Sequence, residues 1–480
     1  MTDAITDLNA HALSRLIHAR SVSCREVMQA YLQRIHRINP AANAIVNLAD
    51  DAALLAQADA CDAQLSAGQS RGWMHGMPQA IKDTGHAIGF PTTYGSSLLA
   101  DAVATQDSLM TARMKAAGCI VVGKTNMPEM GLGSHTFNDL FGGTPNAYDP
   151  AVSAGGSSGG AGAALALRLL PVADGSDFMG SLRNPAAWSN TFGLRPSQGR
   201  VPFWPAGDVW ISQLGTEGPM ARSMADLASL LAIQAGGDPR VPLSIAEPCS
   251  GLDAADPASL KGLRVGWLGD LNGHLAMEDG LLACHEQALQ RLAEAGAVIE
   301  PLQLGFSAEA VWQAWLVWRR ALVAPKVAAL LKLPGARERI KPEALWEHDQ
   351  AMGLGFMDFM AASEVRTAFL QHMLGLLQGF DVLALPTTQV WPFPMAQRWP
   401  QAIAGRQMDT YHRWMEATLY ATFAGLPALS VPAGFHANGR WPAGLQLIGG
   451  PQADRALIRV GLAYETLASD WLARRPGNPA

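Results

Sequence analysis

Apolar residues recur at helical spacing from the start of the chain: Leu13, Leu16 and Ile17, then Val27, Tyr31 and Ile35. Ser23-Cys24-Arg25-Glu26 precedes the second set in the pattern of a capping box. The spacing predicts two helices whose polar face carries Arg20, Arg25 and Arg34. From Gln79 onward, short apolar runs alternate with helical ones. Ala80-Ile81 reads as a strand, Ser108 to Ala117 as a helix stopped by Gly118, and Cys119-Ile120-Val121-Val122 as the next strand, which is βαβ grammar. The alternation continues through a small-residue helix at Ala161 to Leu170, strands near Val172-Ala173 and over Leu263 to Trp267, and a helix at Leu281 to Ala295. Further strands are predicted at Val298-Ile299, Val382 to Leu385, Ala428 to Val431 and Gly444 to Ile448. No Gly/Ser- or Pro-rich linker cuts the chain and no internal repeat is evident. The expectation is an α/β fold: a single large mixed, mostly parallel sheet covered by helices, in one domain over residues 1–480, with a helical segment over 1–70. The stretch from Ala308 to Phe380 is helical, with Trp312, Trp315 and Trp318 at helical spacing, and either packs against the sheet or forms a lid or substrate wall.

Composition narrows the partners. With 480 residues, 49% of them hydrophobic, the chain can bury a large core. A net charge of −6, only 16% charged residues and no Lys/Arg run argue against nucleic acid and against a polybasic membrane patch. A small neutral or apolar ligand fits better. Cys24, Cys61, Cys119, Cys249 and Cys284 are odd in number and lack a CxxC, which speaks against a disulfide framework and a structural zinc site and for a reducing compartment. Met1 to Ala10 lacks the basic start and apolar run of a signal peptide, and no apolar stretch reaches the roughly 20 residues of a membrane helix. The expected location is the cytoplasm.

The candidate chemistry lies in two Gly/Ser clusters and a lysine. Residues 155–160 read Gly-Gly-Ser-Ser-Gly-Gly ahead of a helix of Ala and Gly, so backbone can approach closely while two hydroxyls sit near a helix start. Alone this reads equally as a flexible turn, and the Gly-Lys-Ser/Thr ending of a phosphate-binding loop is absent. The second cluster, Gly175-Ser176-Asp177-Phe178-Met179-Gly180-Ser181-Leu182-Arg183-Asn184-Pro185, places Ser181 one strand and one helix beyond Ser157, which returns both serines to one end of a sheet. Upstream, Gly76-Met77-Pro78-Gln79-Ala80-Ile81-Lys82-Asp83 puts a lysine at the end of a strand-like run, where it is either a surface group or a buried one that must be deprotonated or paired.

These three segments, in this order and with this serine spacing, resemble those of the amidase signature family of Ser-cisSer-Lys hydrolases. The resemblance continues through Phe192-Gly193-Leu194-Arg195-Pro196-Ser197-Gln198-Gly199-Arg200, Glu217-Gly218-Pro219-Met220-Ala221-Arg222, Gly425-Leu426-Pro427-Ala428 and Gly444 to Gly449. It implies an amidase signature core over 71–230 and a variable helical insert at about 300–400 lining or covering the site. It carries Lys82 over as the base, Ser157 as the bridging serine beside a cis peptide bond, and Ser181 as the nucleophile that forms an acyl-enzyme. It implies an oxyanion hole from the backbone N–H groups of Phe178, Met179, Gly180 and Ser181, supported by Ser158, Asp177 and Arg183, the last two as a structural ion pair or as direct catalytic groups. Met130, Gly131 and Leu132 correspond to a segment that lines the site. Phe178-Met179 departs from the commoner pattern of a residue followed by glycine, and places Met179 beside the nucleophile as an apolar pocket element. Tyr94, Trp204, Trp210 and Trp391 lie in loop-like stretches, where an aromatic walls a pocket or anchors a loop.

His75, His86 and His135 offer no Gly-x-Ser-x-Gly elbow and no His-Glu-x-x-His spacing, so they read as structural or surface groups, and neither a metal nor a cofactor is expected. Three functions remain open: a hydrolase of apolar or aryl amides, with carbamates or esters as further substrates; the glutamine amidase component of a transamidation complex; and a binding protein without catalysis. The expected partner is a small amide or carbamate, with no nucleic acid and no membrane, and the expected state is a monomer or homodimer.

Overall fold

The computed structural model describes residues 2–247 and 251–477, so Cys249 lies outside it. The N-terminal helices form where the apolar spacing puts them. Helix α1 (Ala10–His18) buries Leu13 and Ile17, and α2 (Cys24–Ala42) buries Val27, Tyr31 and Ile35. Ser23 caps α2 by accepting from the Glu26 N–H, while the Glu26 carboxylate accepts from the Ser23 N–H. Two donors that a helix start leaves open are thereby satisfied.

Strands β1 (Ile45–Val46), β2 (Pro78–Lys82) and β3 (Ile120–Thr125) form a small sheet in the order β1-β3-β2. Strands β2 and β3 run parallel, with α3 (Leu109–Ala116) as the crossover between them. This sheet stands apart from the larger one, where the sequence predicts a single sheet. The reason is local: β2 faces the larger sheet through side chains, its Gln79 amide and Lys82 N–H both donating to the Asp174 carboxylate at 3.0 Å, and forms no backbone ladder with it.

The chain then enters α4 (Gly159–Ala166), β4 (Ala173–Asp177), β5 (Phe192–Arg195), β6 (Thr216–Ala221), α5 (Met224–Gln234) and β7 (Arg264–Trp267). It continues through α6 (Leu281–Glu294), β8 (Val298–Pro301), α7 (Ala308–Leu330), α8 (Pro342–Ala351), α9 (Phe356–Leu377), β9 (Val382–Pro386), β10 (Ala428–Phe435), β11 (Pro442–Ile448) and α10 (Asp454–Leu467). Eight strands pair in the order β8-β7-β9-β11-β10-β5-β6-β4. The sheet is large and mixed, as the sequence predicts, but it is not mostly parallel. Only the β8/β7 and β7/β9 pairs are parallel, and every other adjacent pair is antiparallel. Short connections cause this: β10 returns into β11 over residues 436–441, too few for the crossover that parallel strands require.

Strand alternation sorts the core into two layers. Val382 and Ala384 join one apolar cluster together with α5, α6 and α10, while Leu383 and Leu385 join another together with Trp312, Trp315 and Trp318 of α7 and Phe369 of α9. The tryptophan stripe of α7 therefore packs against the sheet. No helix among the described residues is long and apolar enough to cross a membrane.

Helix α4 lies so close to the loop after β3 that only glycine fits. A Cβ at Gly160 would sit 2.4 Å from the Asn126 backbone N and 2.5 Å from the Ala44 carbonyl oxygen, both of them backbone atoms. Gly160→Ala is expected to cost roughly 1–3 kcal/mol or more, read as a lowered urea midpoint at unchanged slope.

Candidate active site

Lys82 ends β2 and is buried. Its Nζ lies 2.8 Å from Ser157 Oγ, 2.8 Å from Ser158 Oγ and 2.9 Å from Ser176 Oγ, with the Ser176 carbonyl oxygen at 3.3 Å. Burial lowers the Lys82 pKa to about 7, against the opposing pull of Asp174, Asp177 and Glu217. A neutral amine is thus accessible near neutral pH and is surrounded by hydroxyls able to donate to it.

The serines are positioned by close backbone packing. The Gly156-Ser157 peptide is cis. The Ser134 hydroxyl donates to the Gly156 carbonyl at 2.5 Å, and the Asn184 amide donates to Ser134 Oγ at 3.0 Å. A Cβ at Gly156 would stand 3.0 Å from the Ser134 backbone carbon. The Ser158 N–H donates to the Ser181 carbonyl at 3.2 Å, tying the two Gly/Ser clusters together. Ser157 and Ser181 retain 4% and 6% of their surface.

Asp177 shapes the turn that carries Ser181. Its carboxylate accepts from the Gly180 N–H at 2.8 Å, the Leu182 N–H at 3.2 Å, and Arg183 Nε and Nη2 at 3.0 Å each. Arg195 donates to the Asp177 carbonyl at 2.7 Å. Burial favours the neutral acid, but Arg183, Arg195 and the Gly180 N–H outweigh it and hold the carboxyl at about 2. Arg183 extends the bracing to Gln446 Oε1 at 2.7 Å and to Thr418 O and Thr422 Oγ1 at 3.0 Å. Gly180 has φ +84°, and a Cβ there would lie 2.6 Å from Thr418 Oγ1. The Gly180 N–H is thus engaged by the Asp177 carboxylate.

Tyr94 and Met130 to Leu132 come together beside Ser157. The Tyr94 N–H donates to the Asp83 carbonyl at 3.2 Å, and its carbonyl accepts the Met130 N–H at 2.8 Å. A Cβ on Gly131 would meet Ser157 Oγ at 3.5 Å. Leu132 is held from the far side by Lys341, whose Nζ donates to the Leu132 carbonyl at 2.9 Å and whose N–H donates to Glu129 at 3.0 Å. Phe178, Met130 and Leu132 share one apolar cluster with Val323, Val327 and Leu330 of α7 and with Ile340. The Phe178 ring lies 5.4 Å from Trp315, and the Arg319 guanidinium stands 5.6 Å above it, engaged by Glu347 and Tyr411.

Other sequence candidates fall elsewhere. Met179 is buried in the cluster that holds Trp188 and Leu214, and Phe178 packs against both that cluster and the one that holds Leu132. The Trp204 carbonyl accepts from the first N–H of α3 at 2.9 Å, an anchoring role. Trp210 is 62% exposed in a turn whose N–H groups point to Asp208. Trp391 anchors a loop through its indole N–H to the Asp279 carbonyl. His75 bonds to the Cys61 carbonyl, and His135 bonds to Ser153 Oγ and the Met395 carbonyl, burial lowering the His135 pKa to about 4. Asp174 and Ser176 escape the sequence reading, although their i, i+2 spacing on β4 places both on the face that meets Lys82.

Residues 26–458 match the family described as Amidase. The chain belongs to that family. Among its relatives, an acylamidase of Rhodococcus erythropolis is 34% identical over 99% of both chains. One of the subunits of the glutamyl-tRNA(Gln) amidotransferase of Acidothermus cellulolyticus is 34% identical over 94% of this chain and 93% of its own. The fold of this amidase-family enzyme is similar to that of a bacterial aryl acylamidase of the amidase signature family, with a TM-score of 0.92 and 29% identity over 99% of this chain and 100% of that one. It is also similar to a peptide amidase from Stenotrophomonas maltophilia, with a TM-score of 0.81 and 28% identity over 99% of each chain.

Proposed function

We propose that the protein hydrolyses apolar or aryl carboxamides through a Ser181 acyl-enzyme, with Lys82 as the base and Ser157 as the proton bridge. The observation that carries this reading is the buried Lys82 amine, lowered to about 7 and 2.8 Å from Ser157 Oγ. Neutral Lys82 takes the Ser157 proton as Ser157 takes that of Ser181, whose Oγ bonds to the amide carbon. The oxyanion is received by N–H groups of the turn, with Phe178, Met179 and Ser181 left to supply them once Gly180 is bound to Asp177. Collapse breaks the C–N bond, and the proton returns through Ser157 to the departing amine. Water then opens the acyl-enzyme by the same relay and regenerates Ser181.

The apolar cluster joining Phe178, Met130 and Leu132 to α7 supports an apolar or aryl group on the substrate. The acylamidase likenesses support the same class. Glutamine fits less well, because its carboxylate needs a cation and the guanidinium beside Phe178 is engaged by Glu347 and Tyr411. Carbamates and esters would enter by the same acyl transfer.

A panel of anilides, short fatty amides, dicarbamates and glutamine, assayed with wild type and Ser181→Ala, tests the reading. Anilide and fatty amide turnover that disappears in Ser181→Ala is expected. Turnover that survives the substitution would sink the mechanism, and glutamine as the preferred substrate would sink the substrate class.

A further inference from the structure

We propose that Glu217 is a positioning residue for this reaction: its carboxyl lies across the β4/β6 ladder from Ser176 and sets the basicity of Lys82 by sharing a proton with it. The proposal rests on the reading of Lys82 as the base. Glu217 and Ser176 are direct partners in the antiparallel ladder, so their side chains emerge on one face. Ser176 Oγ touches Lys82 Nζ at 2.9 Å on that face, and Asp174, two residues back along β4, emerges there too. Glu217 is 1% exposed, and neither carboxyl oxygen has a hydrogen-bond partner. A buried carboxylate in that position is costly without a cation nearby. The neighbouring amine supplies one when protonated.

Two arrangements of one proton therefore have equal total charge: Lys82 neutral with Glu217 as the acid, and Lys82 as ammonium with Glu217 as carboxylate. When the pair has lost that proton to solvent, Lys82 takes the Ser181 proton through Ser157 and becomes the ammonium, and the ionised Glu217 stabilises it. Burial pushes the Glu217 carboxyl up to about 8, Asp174 adding to the rise and Lys82 opposing it. The pair then titrates as a unit over the range in which Lys82 must work.

The charged groups on the surrounding elements leave this pairing in place. Asp174 already accepts from Gln79 and from the Lys82 N–H, and Asp177 is bound by Arg183 and Arg195. Tyr94, on the loop after β2, is pushed up to about 12 by burial, with Glu217 and Asp83 adding to the rise, and stays neutral. Asp83 is paired with Lys124 of β3 at 3.3 Å. Arg113 of α3, which donates to the carbonyls of Gln234 and Gly236, also opposes the rise of the Glu217 carboxyl, after Lys82, and Asp226 of α5 accepts the first N–H groups of α1.

The test is the pH profile of kcat/KM in Glu217→Gln, an isosteric change that removes the charge. A lysine loses basicity when a neighbouring anion is removed, so its free-amine form persists to lower pH. The acid limb is expected to move down by about one pH unit or more and to become a single-proton limb. Glu217→Asp, with the acid withdrawn by one methylene, should fall between the variant and wild type, and if Glu217→Gln does not fold, this smaller downward shift decides alone. A purely structural role would lower the plateau or the melting temperature and leave the midpoint in place, and that result overturns the proposal. Lys82→Met serves as the control. If it retains activity, the reading of Lys82 as the base fails; if it is inactive while the Glu217 variants keep the wild-type midpoint, the Glu217 proposal alone fails.

Discussion

Lys82→Met is expected to remove turnover by about four to six orders of magnitude while the protein remains folded. The amine makes its contacts with three serine hydroxyls at 2.8 to 2.9 Å, so its loss takes away the proposed base and a hydrogen-bond partner of Ser157. The fold should survive, because the link between β2 and β4 runs through the Lys82 backbone N–H and the Gln79 amide to Asp174 and does not need the lysine side chain. In wild type the sign is fixed by burial: a lysine lowered to about 7 is an active base above that pH and an inactive ammonium below it. Activity should therefore rise with pH through the region of 7. Residual activity in Lys82→Met should lack that limb, as single-turnover acylation by a chromogenic anilide across pH would reveal.

Asp177→Ala is expected to be the most destabilising change near the site, by about 3–5 kcal/mol. Arg183 and Arg195 are both fully buried against this carboxylate, and removing it leaves two guanidiniums without their counter-ion. The turn also loses the acceptor of the Gly180 and Leu182 N–H groups, so catalysis should fall further than stability alone explains. Asp177 has a depressed folded pKa of about 2, so its contribution is fully present above the ordinary aspartate value and is lost as pH falls toward 2. Denaturant midpoints between about pH 4 and pH 2 should accordingly fall more steeply in wild type than in the variant. Equal slopes would show that Asp177 is not charged in the folded protein.

Periodicity makes much of this fold legible. The capping box at Ser23, the parallel β2-α3-β3 unit and six of the eight strands of the large sheet lie where the apolar patterns put them, while β5 and β6 escape that reading. Direction and partnership are not legible, because a strand's sequence shows which residues face the core but not which neighbour it meets. Mostly antiparallel pairing and a separate small sheet escape the sequence for that reason. In the site, Lys82 Nζ meets the hydroxyls of Ser157 and Ser158. The Gly180 N–H cannot be assigned from sequence, since only the folded turn reveals that Asp177 takes it. Phe178 and Met179 look alike in sequence, yet only Phe178 packs against the cluster of Met130 and Leu132 as well as that of Trp188. Glu217 is invisible as chemistry, because nothing in Thr-Glu-Gly-Pro distinguishes a buried acid from a solvated one.

The separation of the sheets has a consequence for the folding chain. Lys82 ends a strand of the small sheet, whereas Ser176 belongs to the large one, and Lys82 stands 75 residues from Ser157 along the sequence. Neither sheet alone brings the lysine amine and the serine hydroxyls together. In the proposed mechanism, a newly made or partly opened chain would carry its serines without their base until the two sheets dock.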